Sequence, residues 1–378
     1  MRFAFKTKVI IFFLLVLSPV LNHSKTVHFD RLIPGSNGNS LTVIHCISQS
    51  SQGFIWITSP YGLARYDGSE FLVYQHQEDD PSSLIDNYLF SVLEDSAGKL
   101  WITTDKGLEL LDKKNGNFIH FQHDPRDPKT LPSNQLRSIA EDRDGYLWIG
   151  TFDAGICQFD YETQTFTQYI HDPTDVNSPS SNSIWAICCD QEGRIWVGTH
   201  EGLLDCYDKK QDKWTHYNLL TPDHGYIGDP NIWDIWEGQD GKIWIGTSSA
   251  GLISLNPDSE TIERIHLREN KGNWEVDYTI LSLIQDREGI IWMGTRKNGI
   301  YKYNPHDKTM MRYTVDTTKP GSLSDNSIIT VFEDKEGLLW FGTGKGISIL
   351  NKNKFRFPVV RYNAQSPERL SDNNILAL

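Results

Sequence analysis

The chain is short of positive charge: 36 Lys and Arg stand against 49 Asp and Glu, for a formal net charge of −13. Phosphate binding needs a basic surface, so nucleic acid is not expected as a partner, and polyanionic ligands are mildly disfavoured. Cysteine is also scarce and odd in number: Cys46, Cys157, Cys188, Cys189 and Cys206 are the five. Their irregular spacing excludes a disulfide framework. Cys46 and Cys188 fall in apolar strand positions and are expected to be small buried residues. No C-x-x-C pair or His-x-His cluster accompanies them, so neither a metal site nor a cofactor is expected.

Long apolar runs are missing after the first two dozen residues. The one such run, residues 9–21, follows Arg2, Lys6 and Lys8 and is broken late by Ser18 and Pro19. A membrane-spanning helix needs about 20 apolar residues. The segment reads instead as a secretory signal peptide, residues 1–24, with cleavage near Ser24. No Cys lies near that point, so a lipid anchor is not expected, and the chain from residue 25 is placed in the periplasm.

What the sequence has in quantity is Trp (12) and Gly (29), a pairing that suits short strands joined by tight turns. Seven of the tryptophans keep time: Trp56, Trp101, Trp148, Trp196, Trp244, Trp292 and Trp340, at steps of 45, 47 and then 48 residues. Three residues before each stands Gly: Gly53, Gly98, Gly145, Gly193, Gly241, Gly289 and Gly337. Nine before stands Ile, Leu or Val, and ten before a short side chain: Cys46, Ser91, Ser138, Ala186, Asp234, Ser282 and Thr330. A fixed period of this length marks a repeat architecture.

The sixth copy shows what one repeat builds. Residues 280–286 make a first strand, Asp286 and Gly289 a hairpin turn, 290–295 a second strand, 299–304 a third and 310–315 a fourth. Four antiparallel strands per repeat make one propeller blade. The short residue ten before each Trp suits the crowded strand nearest the axis. The repeated Trp should fill the space between blades, where losing one costs about 3–5 kcal/mol. The expected fold is therefore all-β, a seven-bladed β-propeller of four-stranded antiparallel blades over residues 25–354. Residues 27–32, which parallel 118–123, should close the ring by pairing with 346–350 and so remove the open edges. Residues 355–362 become a spare strand, and 370–378 start an eighth copy. The Asp-x-x-Gly turns lack the spaced carboxylates of a calcium loop and are hairpins. Asn87, Asn134, Asn182 and Asn326 recur at the blade entrances, where Asx-turn chemistry ties down loop backbone.

The phrases "EDRDGYLWIGTFDAGICQFD" (141–160), "QDREGIIWMGTRKNGIYKYN" (285–304) and "EDKEGLLWFGTGKGISIL" (333–350) resemble the two-component regulator propeller repeat. The opening at 28–68 is similar to the start of the sensor region of hybrid two-component histidine kinases. The resemblance implies a periplasmic sensor region, usually two tandem propellers, a small β-sandwich and one membrane helix, followed by cytoplasmic kinase, receiver and DNA-binding modules. It also implies an oligosaccharide ligand, since many members of that family sense glycan fragments. Nothing after the first propeller is found here. The chain is thus expected to be a fragment or the product of a truncated gene, without histidine kinase activity of its own and tied to a membrane only through the missing parts.

Loops on a rigid scaffold carry function, and two sets of varying residues share one face. After the Gly-Thr of each second strand, or its counterpart, come Tyr61, Asp105 and Lys106, Phe152 and Asp153, His200 and Glu201, Ser248 and Ser249, Arg296 and Lys297, and Lys345. Eleven residues before each repeated Trp lie His45, Phe90, Arg137, Trp185, Trp233, Leu281 and Ile329. From these, Tyr61, Lys106, Arg137, Phe152, Asp153, Trp185, His200, Glu201, Trp233, Arg296 and Lys297 are the candidate ligand residues. Trp185 and Trp233 would stack on a sugar ring, with Arg137 or Arg296 holding an acidic group. The competing reading is that these side chains pack against neighbouring loops. Two other functions stay open: a propeller lyase or hydrolase acting on a glycan, drawing on His200, Glu201 and Asp153, and a protein-interaction scaffold or remnant. A homodimer through the sensor region is a further expectation carried by the resemblance.

Overall fold

The computed structural model describes residues 27–36, 39–219, 231–267, 279–319 and 321–352. The signal segment 1–24, the spare strand at 355–362 and the start of an eighth repeat lie outside the described residues. Seven four-stranded antiparallel sheets form a ring. Blades 1 to 6 occupy residues 46–74, 89–121, 136–169, 184–218, 232–265 and 280–313. Blade 7 takes its three inner strands from Ile328–Glu333, Leu338–Thr343 and Gly346–Asn351, and its outer strand from Phe29–Leu32 at the other end of the chain. The pairing of the two chain ends is the one the sequence predicts, and its register sets Phe29 against Leu350 and Leu32 against Ile347. Strand bounds in the sixth copy shift by one or two residues, with the fourth strand running Thr309–Tyr313.

The repeated tryptophans are the joints of the ring. All seven are buried, at most 4 % exposed, and each packs into the next blade: Trp56 against Leu89 and Val92, Trp196 against Ile232 and Ile235, Trp340 against Ile44 and Ile47. An indole N–H in such a place needs an acceptor. In five blades the Asp that opens the hairpin turn supplies it, with Nε1 of Trp101, Trp148, Trp196, Trp292 and Trp340 donating to Asp95, Asp142, Asp190, Asp286 and Asp334 at 2.7–2.9 Å. The other carboxylate oxygen caps the turn: Asp334 Oδ1 accepts from the amides of Glu336 and Leu338. Blades 1 and 5 carry Ser50 and Gly238 at that place. There Trp56 Nε1 and Trp244 Nε1 are buried without a partner among the described residues.

A second ring of bonds runs through the turns. The amide two residues before the turn glycine donates to the last side chain of the next inner strand: Ser51 to Glu94, Ser96 to Glu141, Gln191 to Glu237, Gln239 to Gln285, Arg287 to Glu333 and Lys335 to Gln49. Between blades 3 and 4 the acceptor position holds Cys189, and among the described residues the Arg143 amide finds no such side chain.

The short residues ten before each Trp have a bonding role as well as a small volume. Ser91 Oγ donates to Arg137 O in the next inner strand, Ser282 Oγ accepts from Val331 N, and Asp234 Oδ2 accepts from Leu283 N at 2.7 Å. Asp234 also accepts from Ile235 N and Ser282. Burial between the inner strands still dominates and raises its carboxyl to about 6. Cys46 and Cys188 correct the sequence reading: both are half-buried. They lie on the innermost strands, which border the space along the axis, so packing covers them only from the blade side. All five cysteines are free thiols.

Four outcomes follow for stability, each read from denaturant or thermal melts. Asp334→Ala should cost about 2–4 kcal/mol, because it strands the Trp340 N–H and uncaps the turn, whereas Ser50→Asp should add about 1 kcal/mol by giving Trp56 the acceptor it lacks. Cys189→Gln should add about 0.5–1.5 kcal/mol by completing the turn ring; no gain would mean that the bond does not form at that joint. A carboxyl raised from its ordinary value favours the folded state fully at pH below about 4 and loses that contribution as pH rises through about 6. The wild-type protein should therefore lose roughly 2–3 kcal/mol from Asp234 across that window. Asp234→Ser should flatten the profile there and be the more stable protein at pH 7, and equal slopes for the two proteins would show that Asp234 is not the cause.

Candidate functional site

The inner strands carry a β-bulge at the position eleven before the repeated Trp. The register slips between Leu136 and Ser138, Ile184 and Ala186, Ile232 and Asp234, Ile280 and Ser282, and Ile328 and Thr330, and between Leu89 and Val92 in blade 2. Residues on either side of the bulge are spoken for. The one before it (Leu136, Ile184, Ile232, Ile280 or Ile328) is wholly buried and packs back on the preceding blade. It sits over Gly150, Gly198, Gly246 or Gly294 of that blade from the fourth onward, where an added Cβ would come within 2.5–2.8 Å. The extra residue of a bulge is turned out of the pleat. Here it is turned toward the mouth of the propeller axis.

The neighbouring turn is held in place by the Thr that ends the second strand of blades 2 to 7, with Ser59 in its place in blade 1. Thr151 Oγ1 donates to Gly155 O and accepts from Ala154 N, and the same pair of bonds recurs at Thr104, Thr247, Thr295 and Thr343. The next amide is tied to the head of its own inner strand: Phe152 N to Gln135 O, His200 N to Ser183 O and Arg296 N to Thr279 O. The entrance asparagines tie down loop backbone, but across the loop rather than in Asx turns: Oδ1 of Asn87, Asn134, Asn182 and Asn326 accepts from the His76, His123, His171 and Val315 amides eleven residues earlier. Bulge residue and turn residue of one blade are thereby fixed side by side.

The result is a crescent of touching side chains over blades 2 to 6. The Tyr88 ring lies 5.1 Å from Phe90, the Arg137 guanidinium 4.1 Å from Phe90 and 4.9 Å from Phe152, and Phe152 6.1 Å from Trp185. Trp185 meets Trp233 at 4.6 Å and 68°, and Arg296 lies 5.6 Å over Trp233. His200 flanks Trp185 at 5.8 Å, and His45 stacks on Phe90 at 5.8 Å. Burial lowers His45 below the usual imidazole range, and its Nδ1 bonds Leu89 O at 2.7 Å. Arg137 pairs with Asp105 at 2.7 Å. Arg137 Nε, Trp185 Nε1 and Trp233 Nε1 are buried without an acceptor among the described residues, an expensive state for N–H donors.

Of the candidates from sequence, Arg137, Phe152, Trp185, His200, Trp233 and Arg296 are brought together. Tyr61 stands exposed on blade 1, Lys106 reaches Asp86 at 3.8 Å, and Asp153, Glu201 and Lys297 are exposed on the turns beside the crescent. Among the described residues neither Asp153 nor Glu201 hydrogen-bonds His200. His45, Tyr88, Phe90 and Asp105 complete the crescent and were not among the candidates. Position eleven before Trp singles out His45 and Phe90, and the turn offset singles out Asp105; Tyr88 carries no such signal. A groove of about 660 Å³ lies elsewhere, between the closure strand and the loop before blade 7. Its cations are already engaged, Arg31 on Ser322 O and Leu323 O and Lys319 on Asp316, so the crescent is the stronger candidate.

Comparison with known proteins bears on the whole frame. The two component regulator propeller family matches at residues 83–106, 130–153, 178–201, 276–297 and 322–345. These are blades 2, 3, 4, 6 and 7; the unmatched blades 1 and 5 are the two whose Trp lacks an Asp partner. Comparison with curated proteins gives no match. Among solved structures the chain is similar to the extracellular domain ascribed to the hybrid two component system BT3049 from B. thetaiotaomicron, with 26 % identity and a TM-score of 0.75, covering 91 % of this chain and 44 % of that one. It therefore spans less than half the length of that relative. The extracellular domain of BT4673 from the same organism (24 % identity, TM-score 0.71, 87 % of this chain and 40 % of that one) shares the fold. So does virginiamycin B lyase from Staphylococcus aureus, at 14 % identity and a TM-score of 0.64, over 85 % of this chain and 98 % of that one. The two component regulator propeller repeat is thus written into five of the seven blades, and the ring is similar to that of such an extracellular domain.

Proposed function

We propose that this propeller is the ligand-sensing part of an extracytoplasmic sensor in a two-component signalling system, and that its ligand is an oligosaccharide seated on the axial crescent. The observation that carries the reading is the bulge series. Six blades spend the same backbone irregularity to aim one side chain at the mouth, yet the residues aimed there differ from blade to blade. A frame that is constant and a rim that varies are what recognition needs from a rigid scaffold. Half-exposed aromatic rings with polar neighbours suit a sugar, which has an apolar face and a hydroxylated edge. The similarity to an extracellular domain of a hybrid two component system supports the location. In addition, no helix among the described residues is long and apolar enough to cross a membrane. Periplasmic export by residues 1–24 and signalling through further modules are parts of the same proposal.

Thermal melting of the full chain against a panel of oligosaccharides tests it. A ligand present at 100 times its Kd should add roughly 2.7 kcal/mol of stability, seen as a raised Tm, while chromatography shows the sugar unchanged after incubation. A sugar consumed by the protein would make this an enzyme and overturn the sensor reading.

A further inference from the structure

The crescent is specific enough to name the chemistry of what it holds, and this step rests on the sensor reading above. Its charges are balanced before any ligand arrives. Arg137, the one guanidinium deep in the crescent, is answered by Asp105 at 2.7 Å and has aromatic rings over it at 4.1 and 4.9 Å. On the rim, Arg296 and Lys297 are offset by Asp153 and Glu201, all four exposed. The chain as a whole carries −13, so an anionic ligand would meet no net attraction. What the crescent lacks is acceptors for three of its buried donors. Arg137 Nε, Trp185 Nε1 and Trp233 Nε1, on three successive blades, are buried N–H donors with no acceptor among the described residues.

Shape adds a second constraint. The Trp185 and Trp233 rings cross at 68°, so one sugar face cannot lie flat on both. The file of contacts continues from there to Phe152, which is 39 % exposed, and on to Tyr88. We infer that the crescent takes an uncharged oligosaccharide of at least two sugar rings, whose ring and hydroxyl oxygens accept from the Trp185 and Trp233 indoles. These N–H groups are covered in the ligand-free arrangement, so the indoles turn to meet the sugar.

The test is a glycan array of neutral and of uronate- or sulfate-bearing oligosaccharides at matched lengths, probed with the full chain. Titration calorimetry and Trp fluorescence then follow for each glycan that binds. The expected result is binding to a neutral glycan of two or more units, insensitive to salt between 20 and 300 mM, with a change in Trp emission. Trp233→Phe keeps the ring and removes the N–H; it should weaken binding about 3- to 10-fold. Trp185→Ala should weaken it by about 10-fold or more, with cooperative melting retained in both variants as the control for folding. Binding confined to acidic glycans, or to single sugars, would overturn this inference and leave the sensor reading standing. The same holds for neutral-glycan binding that neither variant disturbs. No binding to any glycan would overturn both.

Discussion

A ring of seven separate sheets has no continuous hydrogen-bond ladder to hold it, so everything depends on how one blade grips the next. That grip is a buried indole with its N–H answered by the aspartate of its own hairpin turn. The two functions of that carboxylate are linked. One oxygen caps the turn and the other takes the indole proton, so the turn cannot form in register without aiming the Trp at the next blade. Local structure and inter-blade packing are thus decided by the same residue. Blades 1 and 5 show the contact without the bond, since Ser50 and Gly238 leave their indoles apolar anchors only. The ring holds with two such joints out of seven, and its closure strand ties the chain ends together across blade 7.

The bulge is where stability and recognition part company. Immediately before it, a fully buried Ile or Leu locks onto the preceding blade; immediately after it, a short residue reaches the following one. The inserted residue is needed by neither neighbour. Its side chain can be Phe, Arg, Trp, Leu or Ile without disturbing the joints, and in this chain it is all of these. A small backbone irregularity repeated around the axis therefore yields a rim free to vary on a core that is not.

This division also explains what could be read from the sequence and what could not. The period of Trp56 to Trp340 and the turn glycines gave seven blades and their strand order because packing forces those residue types to recur. Closure by residues 29–32 was legible for the same reason, since the strand keeps the pattern of its counterparts. The Asp–Trp bond left a visible trace, an Asp six residues before five of the Trps, but a turn-opening Asp has a sufficient local explanation and hid its second role. Cys46 and Cys188 were misjudged because apolar alternation says which face a side chain occupies, and not that this face borders an open axis. The crescent was half legible. The offset from Trp pointed to Arg137, Trp185 and Trp233, but Tyr88 enters from a loop that no repeat constrains. Ring contacts between blades are invisible to any reading along the chain.

The cost of the site is written into the joints beneath it. The inner-strand bonds made by Ser91, Asp234 and Ser282 have no counterpart between blades 3 and 4, where Ser138 Oγ is buried without a partner, nor between blades 4 and 5, where Ala186 has no polar atom to offer. The missing turn bond at Cys189 falls at the first of these two joints. Asn231 Oδ1, at the head of blade 5, is likewise unpartnered. Among the described residues most of the orphaned polar groups thus lie on blades 3 to 5, Trp56 Nε1 on blade 1 standing apart, while the joints from blade 5 to 6 and from blade 6 to 7 keep both kinds of bond. A scaffold under selection for stability alone would spread such defects or remove them. Their concentration on one side of the axis, beneath the same side chains that lack acceptors, is the pattern left when recognition sets the residues and the rest of the ring carries the loss.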